Sequence, residues 1–218
     1  MKVKLEILPP AQLSLWAQLQ SIPKNFVLYG GTAIALQLGH RQSVDFDFFS
    51  SDPFDPEKLK SVLPFLNNAT FVLPDINTLN CIINLEKGNV KIQFLGGISQ
   101  RIKRVEPLLI SQDNGIQIAS LRDLFGTKLQ TIQARAEVKD YLDIYALIKS
   151  GISLSDGLAC AKAIYGFPYD VGTSLRALCS YQDGNLSDLS KEIQIFLCNQ
   201  SKKIEKIPLI YPICDKII

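Results

Sequence analysis

Two aspartates separated by a single residue are the strongest candidates for chemistry in this chain. Asp45 and Asp47 lie in an aromatic, apolar run over residues 44–49. If that run is a β-strand, residues two apart face the same way, so both carboxylates lie on one face and the apolar residues face a core. Paired carboxylates on a rigid strand favour a hard divalent cation such as Mg²⁺. The alternative is the solvent-facing edge of an ordinary antiparallel strand.

A glycine pair precedes these aspartates. Gly30 and Gly31 lead into a helical pattern over residues 32–38, which ends at Gly39, a usual helix end. The first turn of a helix offers backbone N–H groups that bind phosphate. Together with the two aspartates, the glycines predict metal-assisted chemistry on a nucleoside triphosphate. Taken alone, such a pair more often forms a tight strand-to-helix turn without a ligand.

A lysine interrupts the apolar stripe of a later helix. Lys128 lies on the same helical face as Leu121 and Leu124, where another apolar residue is expected. Such a lysine either extends its charged end to solvent or binds an anionic group. Arg135 would share that side of the helix if the helix continues.

The next helix, over residues 138–149, is apolar nearly all round and should be buried, yet it contains Asp140 and Asp143. A buried carboxylate must be paired or bound to a metal. Lys128, Arg135 and Lys139 are the candidate partners. These charges are either part of a catalytic site or a structural ion-pair network, and Asp143 is the better candidate for a structural role.

The elements that position these residues indicate an α+β fold. Strands are expected over residues 26–29, 44–49, 78–85 and 90–95, with a hairpin turn at residues 87–89. From residue 121 onward the apolar spacing is helical. We therefore predict a mixed β-sheet flanked by helices over residues 1–119 and a helical C-terminal domain over residues 120–218, with the active site in the cleft between them.

Composition limits the possible classes. The chain has 218 residues, 47% of them hydrophobic, and a net charge of +2. This composition is that of a globular protein, and the near-neutral charge provides no general field for nucleic acid. Five scattered cysteines are expected to be reduced thiols. No signal peptide or membrane span is recognisable, so a cytoplasmic protein without membrane contact is expected.

Several of these motifs, in this order and spacing, resemble the AbiEii/AbiGii-type nucleotidyltransferase family of the DNA-polymerase-β-like superfamily. That family contains toxins of toxin–antitoxin and abortive-infection systems. The resemblance covers roughly residues 25–150. The residues that carry it are Gly30, Gly31, Thr32, His40, Arg41, Ser43, Asp45, Asp47, Lys128, Arg135, Lys139, Asp140 and Asp143.

The resemblance implies a nucleotidyltransferase-type fold and metal-dependent transfer of a nucleoside monophosphate from a nucleoside triphosphate. Asp45 and Asp47 would hold Mg²⁺ or Mn²⁺, Lys128 would act as a point charge on the phosphates, and Asp140 would position or activate the acceptor. The other implied nucleotide-binding residues are Gly30, Gly31, Thr32, Arg41 and Ser43. The acceptor would be the 3′ end of a tRNA or a protein, and a toxin would have a cognate antitoxin as partner. Arg135, Lys139 and Asp143 would support the site.

One position departs from the family pattern. Superfamily members commonly have a third carboxylate on a neighbouring strand, and the expected position holds Gln93. An amide can coordinate a metal but brings no charge. Glu86, on the preceding strand, would be a substitute if the strand register allows it. The alternative function is therefore a catalytically impaired nucleotide-binding or interaction protein of the same fold.

Overall fold

The computed structural model describes residues 1–72, 75–98 and 102–217. The β-strands are β1 Val27–Tyr29, β2 Asp45–Phe49, β3 Ala69–Phe71, β4 Thr78–Leu85, β5 Gly88–Leu95, β6 Leu109–Ile110 and β7 Gln117–Ile118. The α-helices are α1 Pro10–Trp16, α2 Gly30–Leu38, α3 Pro56–Val62, α4 Leu121–Ala134, α5 Val138–Lys149, α6 Leu154–Tyr165, α7 Val171–Ala177 and α8 Lys191–Lys202. The predicted α+β class is confirmed.

The chain divides into two compact units. The first unit comprises Met1–Ile102, Pro107–Ser120 and Cys214–Ile218, and the second comprises Lys103–Glu106 and Leu121–Ile213. The end of the chain belongs with the first unit because Ile217 is fully buried and its N–H donates to Ser51 Oγ at 2.6 Å. The domain boundary expected after residue 119 stays a prediction.

The first unit contains one mixed seven-stranded sheet with the strand order β3-β4-β5-β2-β1-β7-β6. The pairs β1–β7 and β2–β5 are parallel, and the other neighbouring strands are antiparallel. The predicted hairpin between β4 and β5 is present. Its turn lies one residue earlier than expected, at residues 86–87, because Leu85 pairs with Gly88.

One face of this sheet carries an aromatic core. Phe46 and Phe48 on β2 are fully buried, as is Phe94 on β5. The ring of Phe48 stacks on Phe94 at 5.4 Å, and Trp16 of α1 stacks on Phe46 at 6.2 Å. Because strand residues alternate between faces, this packing holds the intervening residues of β2 on the opposite face.

The second unit is helical, and its packing depends on glycines where α4 meets α6. A Cβ atom at Gly126 would lie 2.8 Å from Cδ1 of Ile164, and one at Gly157 would lie 2.7 Å from the Phe125 ring. Such close approach leaves no room for a side chain. α4 therefore lies directly against α6, and α5 packs on α4 as well.

The cysteines require a correction. The sequence indicated five reduced thiols, but Cys179 and Cys198 form a disulfide, with their Cα atoms 4.7 Å apart. The prediction was wrong because the end of α7 and the middle of α8 meet only after folding. Cys81 and Cys160 are free and buried, and burial raises the pKa of each thiol to about 11.

In the part of the chain that the structure describes, no helix combines the length and the hydropathy that crossing a bilayer requires.

Candidate active site

The turn from β1 into α2 requires glycine. Gly30 has a φ of +73°, a conformation that favours glycine over residues with a side chain. A Cβ atom at Gly30 would also overlap Oδ2 of Asp47 and lie 3.3 Å from its Cγ. Gly30 therefore lets the Asp47 carboxylate lie directly against the start of α2.

Two buried hydroxyl groups join α2 to the start of β2. Thr32 and Ser43 are only 2% and 7% exposed, and their hydroxyl oxygens are 2.7 Å apart. The Thr32 hydroxyl also donates to the backbone carbonyl of Asp45. These bonds fix Asp45 relative to α2. The nucleotide contacts that the family resemblance implies for Thr32 and Ser43 stay predictions.

Asp45 and Asp47 are both half-buried on the sheet face opposite the aromatic core, as the alternation of β2 predicts. Each pairs with a residue of β5, Asp45 with Lys91 and Asp47 with Gln93. Arg41 lies in the loop before β2, where its Nη1 donates to the Gln42 carbonyl at 2.9 Å.

The two carboxylates fit a divalent cation of the kind that a triphosphate requires. In the described ranges no three His, Cys, Asp or Glu side chains form a closed metal cage. Mg²⁺ in phosphoryl-transfer sites is commonly held by one or two carboxylates, with phosphates and water completing its coordination. Asp45 and Asp47 match the carboxylate part of that donor set.

Glu86 cannot substitute for a third carboxylate. It is exposed in the β4–β5 turn, whereas Gln93 pairs with Asn80 well along the hairpin. At about 3.3 Å per strand residue, the turn lies roughly 15 Å or more from the Gln93 position. The suggestion that Glu86 replaces the missing carboxylate is therefore wrong.

The second unit brings the predicted charged residues together. Lys128 Nζ lies 2.6 Å from Oδ1 of Asp140 and 2.8 Å from Oδ2 of Asp143. Both aspartates are fully buried and Lys128 is 5% exposed. Arg135 follows the last residue of α4, and its Nε donates to Oδ2 of Asp140 at 2.8 Å. We call these four residues the charged cluster.

The cations determine the ionisation of Asp140. Burial alone would raise the pKa of this carboxyl, but hydrogen bonds and charge from Arg135 and Lys128 outweigh burial and lower its pKa below the ordinary value. Asp140 is therefore ionised at neutral pH. Lys139 does not belong to the charged cluster. Its Nζ lies 2.9 Å from Oε2 of Glu137 at the surface.

Sequence reasoning missed a residue that positions the charged cluster. Oδ1 of Asn185 accepts a hydrogen bond from the backbone N–H of Val138 at 2.9 Å. Val138 is the first residue of α5, so this bond satisfies one of the free N–H groups at the helix start, in the same turn as Asp140. The contact joins residues far apart in the chain, and no local pattern signals it.

Comparison with known families gives one match that covers most of the chain. The sequence model of the family described as "Nucleotidyl transferase AbiEii toxin, Type IV TA system" matches residues 14–191. An uncharacterized protein of Aquifex aeolicus is 30% identical over 130 residues, which are 59% of this chain. The match spans 60% of the length of that relative.

Solved structures show the same fold. A putative nucleotidyltransferase from Helicobacter pylori has a TM-score of 0.52 at 18% identity, with 86% of this chain and 90% of that chain covered. MenT4, a nucleotidyltransferase toxin from Mycobacterium tuberculosis, has a TM-score of 0.57 at 14% identity, with 89% and 82% covered. At these identities the similarity concerns the fold, and it confirms the nucleotidyltransferase-type architecture.

Proposed function

Because the chain belongs to the AbiEii nucleotidyltransferase toxin family, we propose that it transfers a nucleoside monophosphate from a nucleoside triphosphate to an acceptor. The observation that carries this proposal is the placement of Asp45 and Asp47 on one face of β2, with the Asp47 carboxylate lying against Gly30 at the start of α2. Family membership supports the reaction class, and the two carboxylates support the site.

In the proposed reaction the acceptor's hydroxyl oxygen bonds to the α-phosphorus and gives up its proton to water. The bond from that phosphorus to the oxygen bridging the α- and β-phosphates breaks, and pyrophosphate leaves. Mg²⁺ or Mn²⁺ held by Asp45 and Asp47 would neutralise the phosphates. Gly30 and Gly31 allow the backbone at the start of α2 to approach phosphate oxygens. We retain Arg41 as a phosphate-binding cation.

The roles implied for the charged cluster remain part of the proposal. Lys128 would contact the phosphates, and Asp140 would position or activate the acceptor. The short bonds among Lys128, Asp140 and Asp143 also support a purely structural role.

We propose the 3′ end of a tRNA, or a protein side chain, as acceptor, as the family resemblance implies. We propose a cognate antitoxin as partner, because the family is described as a toxin of a type IV toxin–antitoxin system. Nucleoside triphosphates and tRNA are cytoplasmic, so we propose that the reaction takes place in the cytoplasm.

The assay that tests the proposal combines the purified protein with Mg²⁺, one α-labelled nucleoside triphosphate at a time, and either unfractionated tRNA or a cell lysate. We expect label in a macromolecular product and none when EDTA is present. Digestion with ribonuclease or protease then identifies the acceptor as RNA or protein.

The second candidate function is triphosphate binding without transfer. The neutral Gln93 opposite Asp47 favours it, because an amide adds no charge for a second cation. Tight triphosphate binding with no labelled product from either acceptor source would support this candidate and contradict nucleotidyl transfer.

Gly30→Ala is expected to impair the site more than the fold. The left-handed backbone costs an alanine about 1–2 kcal/mol, and the new Cβ displaces the Asp47 carboxylate, so we expect transfer to fall about 10- to 100-fold through misplacement of a reacting group. Urea unfolding and the labelled-transfer assay measure the two effects.

Gly39→Ala is the matched control. Gly39 also has a positive φ, +71°, but its added Cβ would meet only the flexible side chain of Lys4. This variant should lose similar stability and retain transfer. Equal loss of transfer in both variants would show that backbone strain, and not the Asp47 contact, is responsible.

A further inference from the structure

A disulfide closes the part of the chain that lies against the start of α5. Cys179 follows α7 and Cys198 lies in α8, so the bond between them closes a loop of residues 180–197. Residues 180–190 of this loop precede α8 and contain one 3₁₀ turn, Leu186–Asp188. We call residues 180–190 the closed segment. The disulfide attaches the beginning of this segment to the helix that follows it.

The closed segment supports the first turn of α5 through adjacent residues. Oδ1 of Asn185 accepts a hydrogen bond from the Val138 N–H at 2.9 Å. An added Cβ at Gly184 would lie 3.0 Å from the carbonyl carbon of Ala136, so the two backbones lie in close contact. Asp140 of the charged cluster lies in the same turn of α5 as Val138. The position of Asp140 therefore depends in part on where the closed segment lies.

The closed segment is not densely packed on all sides. A cavity of about 410 Å³ lies beside it, lined by Arg135 and Ala136 before α5 and by Asp183, Gly184 and Leu186 of the segment. Protein interiors are otherwise close-packed, and sparsely packed parts of a protein open at low cost in free energy. A covalent bond at one end of the segment therefore helps to hold it against α5.

The disulfide is accessible to reagents in solution. Cys179 is exposed and Cys198 is half-buried, and exchange with a thiol requires such access. Cys81 and Cys160 differ because both are buried, and burial raises the pKa of each thiol to about 11. Of these four cysteines, only the pair that closes the segment lies at the surface.

We propose that the Cys179–Cys198 disulfide is a redox switch on nucleotidyl transfer. The oxidised protein is active, and reduction by a low-molecular-weight thiol such as glutathione slows transfer. Reduction releases the closed segment and weakens the Asn185 bond that holds the start of α5 near Asp140. This inference rests on the proposed function, because a cytoplasmic protein meets thiols that are kept reduced, and disulfides there are usually transient.

The exchange takes two steps. The thiolate of one small thiol attacks Sγ of Cys179, the S–S bond breaks, and Cys198 leaves as a thiolate that takes up a proton from water. A second small thiol attacks the mixed disulfide at the sulfur of the first, and Cys179 leaves as a thiolate and is protonated. Two small thiols are thereby oxidised to one disulfide, and the protein gains two electrons and two protons.

Thiol counting tests whether the disulfide is reducible in the folded protein. The full chain is equilibrated with mixtures of reduced and oxidised glutathione and then unfolded in excess maleimide, and its mass gives the number of thiols. We expect three modified cysteines in oxidised glutathione and five in reduced glutathione. The control Cys214→Ser should give one fewer in each state. A count that stays at three would overturn the proposal, because structural disulfides resist reduction by glutathione.

Hydrogen exchange of single backbone amides tests what reduction does to α5. The Val138 N–H should exchange about tenfold faster in the reduced protein, the effect of losing one hydrogen bond. The Asp156 N–H is the matched control, because it donates to Ser153 Oγ at 3.1 Å at the start of α6. Exchange at Asp156 should not change with redox state. Equal exchange of Val138 in both states would contradict release of the closed segment.

The rate of label transfer tests the switch itself. We expect the reduced chain to transfer label about tenfold more slowly, because Asp140 is misplaced. Cys179→Ser/Cys198→Ser should show the slow rate with or without thiol, and Asn185→Ala should be slow in both redox states. Triphosphate affinity in Mg²⁺ should be the same in every form, since the carboxylates of β2 belong to the first unit.

The outcomes separate this inference from the proposed function. Equal transfer rates in both redox states, with five thiols counted after reduction, would overturn the switch and leave nucleotidyl transfer intact. No transfer by the oxidised wild-type protein to any acceptor source would overturn both. Loss of triphosphate binding on reduction would indicate general unfolding and contradict a local effect on α5.

Discussion

Asp47→Asn should lower the rate of nucleotide transfer about a thousandfold or more, because several kcal/mol of charge stabilisation depend on this carboxylate and each 1.36 kcal/mol changes a rate tenfold. Asparagine has nearly the shape of aspartate, so it fits beside Gly30 as Asp47 does. What the substitution removes is the negative charge that holds a divalent cation.

The measurement is the initial rate of label transfer at saturating Mg²⁺, with Tm determined on the same preparation. Asp113→Asn is the matched control, since Asp113 is an exposed aspartate of the same unit, remote from β2 in the chain. We expect wild-type rates from the control and an unchanged Tm in both variants. Equal label incorporation by Asp47→Asn and the wild-type protein would remove Asp47 from the mechanism.

Metal dependence gives the same prediction an independent readout. The affinity for a nucleoside triphosphate should fall when EDTA is added to the wild-type protein. In Asp47→Asn, EDTA should have a much smaller effect, because the cation is already weakly held. An undiminished EDTA effect in the variant would place the cation elsewhere.

Local patterns predicted the elements that carry the site. The alternation over residues 44–49 predicted Val44, Phe46 and Phe48 in the core and the aspartates on the other face. The structure confirms this for Phe46, Phe48 and the aspartates, but Val44 precedes β2 and is exposed. Gly39 ends α2 in the left-handed conformation expected of a helix end. The family resemblance, based on motifs within roughly residues 25–150, is confirmed by a family match over residues 14–191.

The partners of these residues required the tertiary structure. From the sequence, the charged end of Lys128 could either reach solvent or bind an anionic group. Only the packing of α5 on α4 shows that it contacts Asp140 and Asp143. The exclusion of Glu86 likewise depends on strand register, which pairs Gln93 with Asn80 well away from the turn. The Cys179–Cys198 bond was missed for the same reason, because a 19-residue separation carries no spacing signal.

Lys128→Met is expected to lower the free energy of unfolding by about 3–5 kcal/mol, the usual cost of removing one partner from a buried ion pair. Methionine fills a similar volume, so the loss comes from charge. The variant leaves the fully buried Asp140 and Asp143 without the ammonium that now lies within 2.8 Å of each. Urea unfolding followed by circular dichroism measures the change.

Lys139→Met is the matched control. Lys139 also pairs with a carboxylate, Glu137, at 2.9 Å, but its side chain is 48% exposed. Surface ion pairs contribute about 0–1 kcal/mol to stability. The urea concentration at the midpoint of unfolding of this variant should therefore be close to that of the wild-type protein. A similarly small change in Lys128→Met would contradict the view that its ammonium compensates buried carboxylates.

The double variant Lys128→Met/Asp143→Asn separates the structural role of Lys128 from a role on the substrate. It removes one positive and one negative charge, and Arg135 still compensates Asp140, so we expect it to recover more than half of the stability lost in Lys128→Met. If Lys128 acts only as a counterion, transfer should recover together with stability. If Lys128 also binds the phosphates, as we propose, the double variant should fold stably but transfer label at least about tenfold more slowly than the wild-type protein. This factor follows because a charge-assisted hydrogen bond contributes about 1.5–3 kcal/mol. Full recovery of transfer would therefore assign Lys128 to the fold alone.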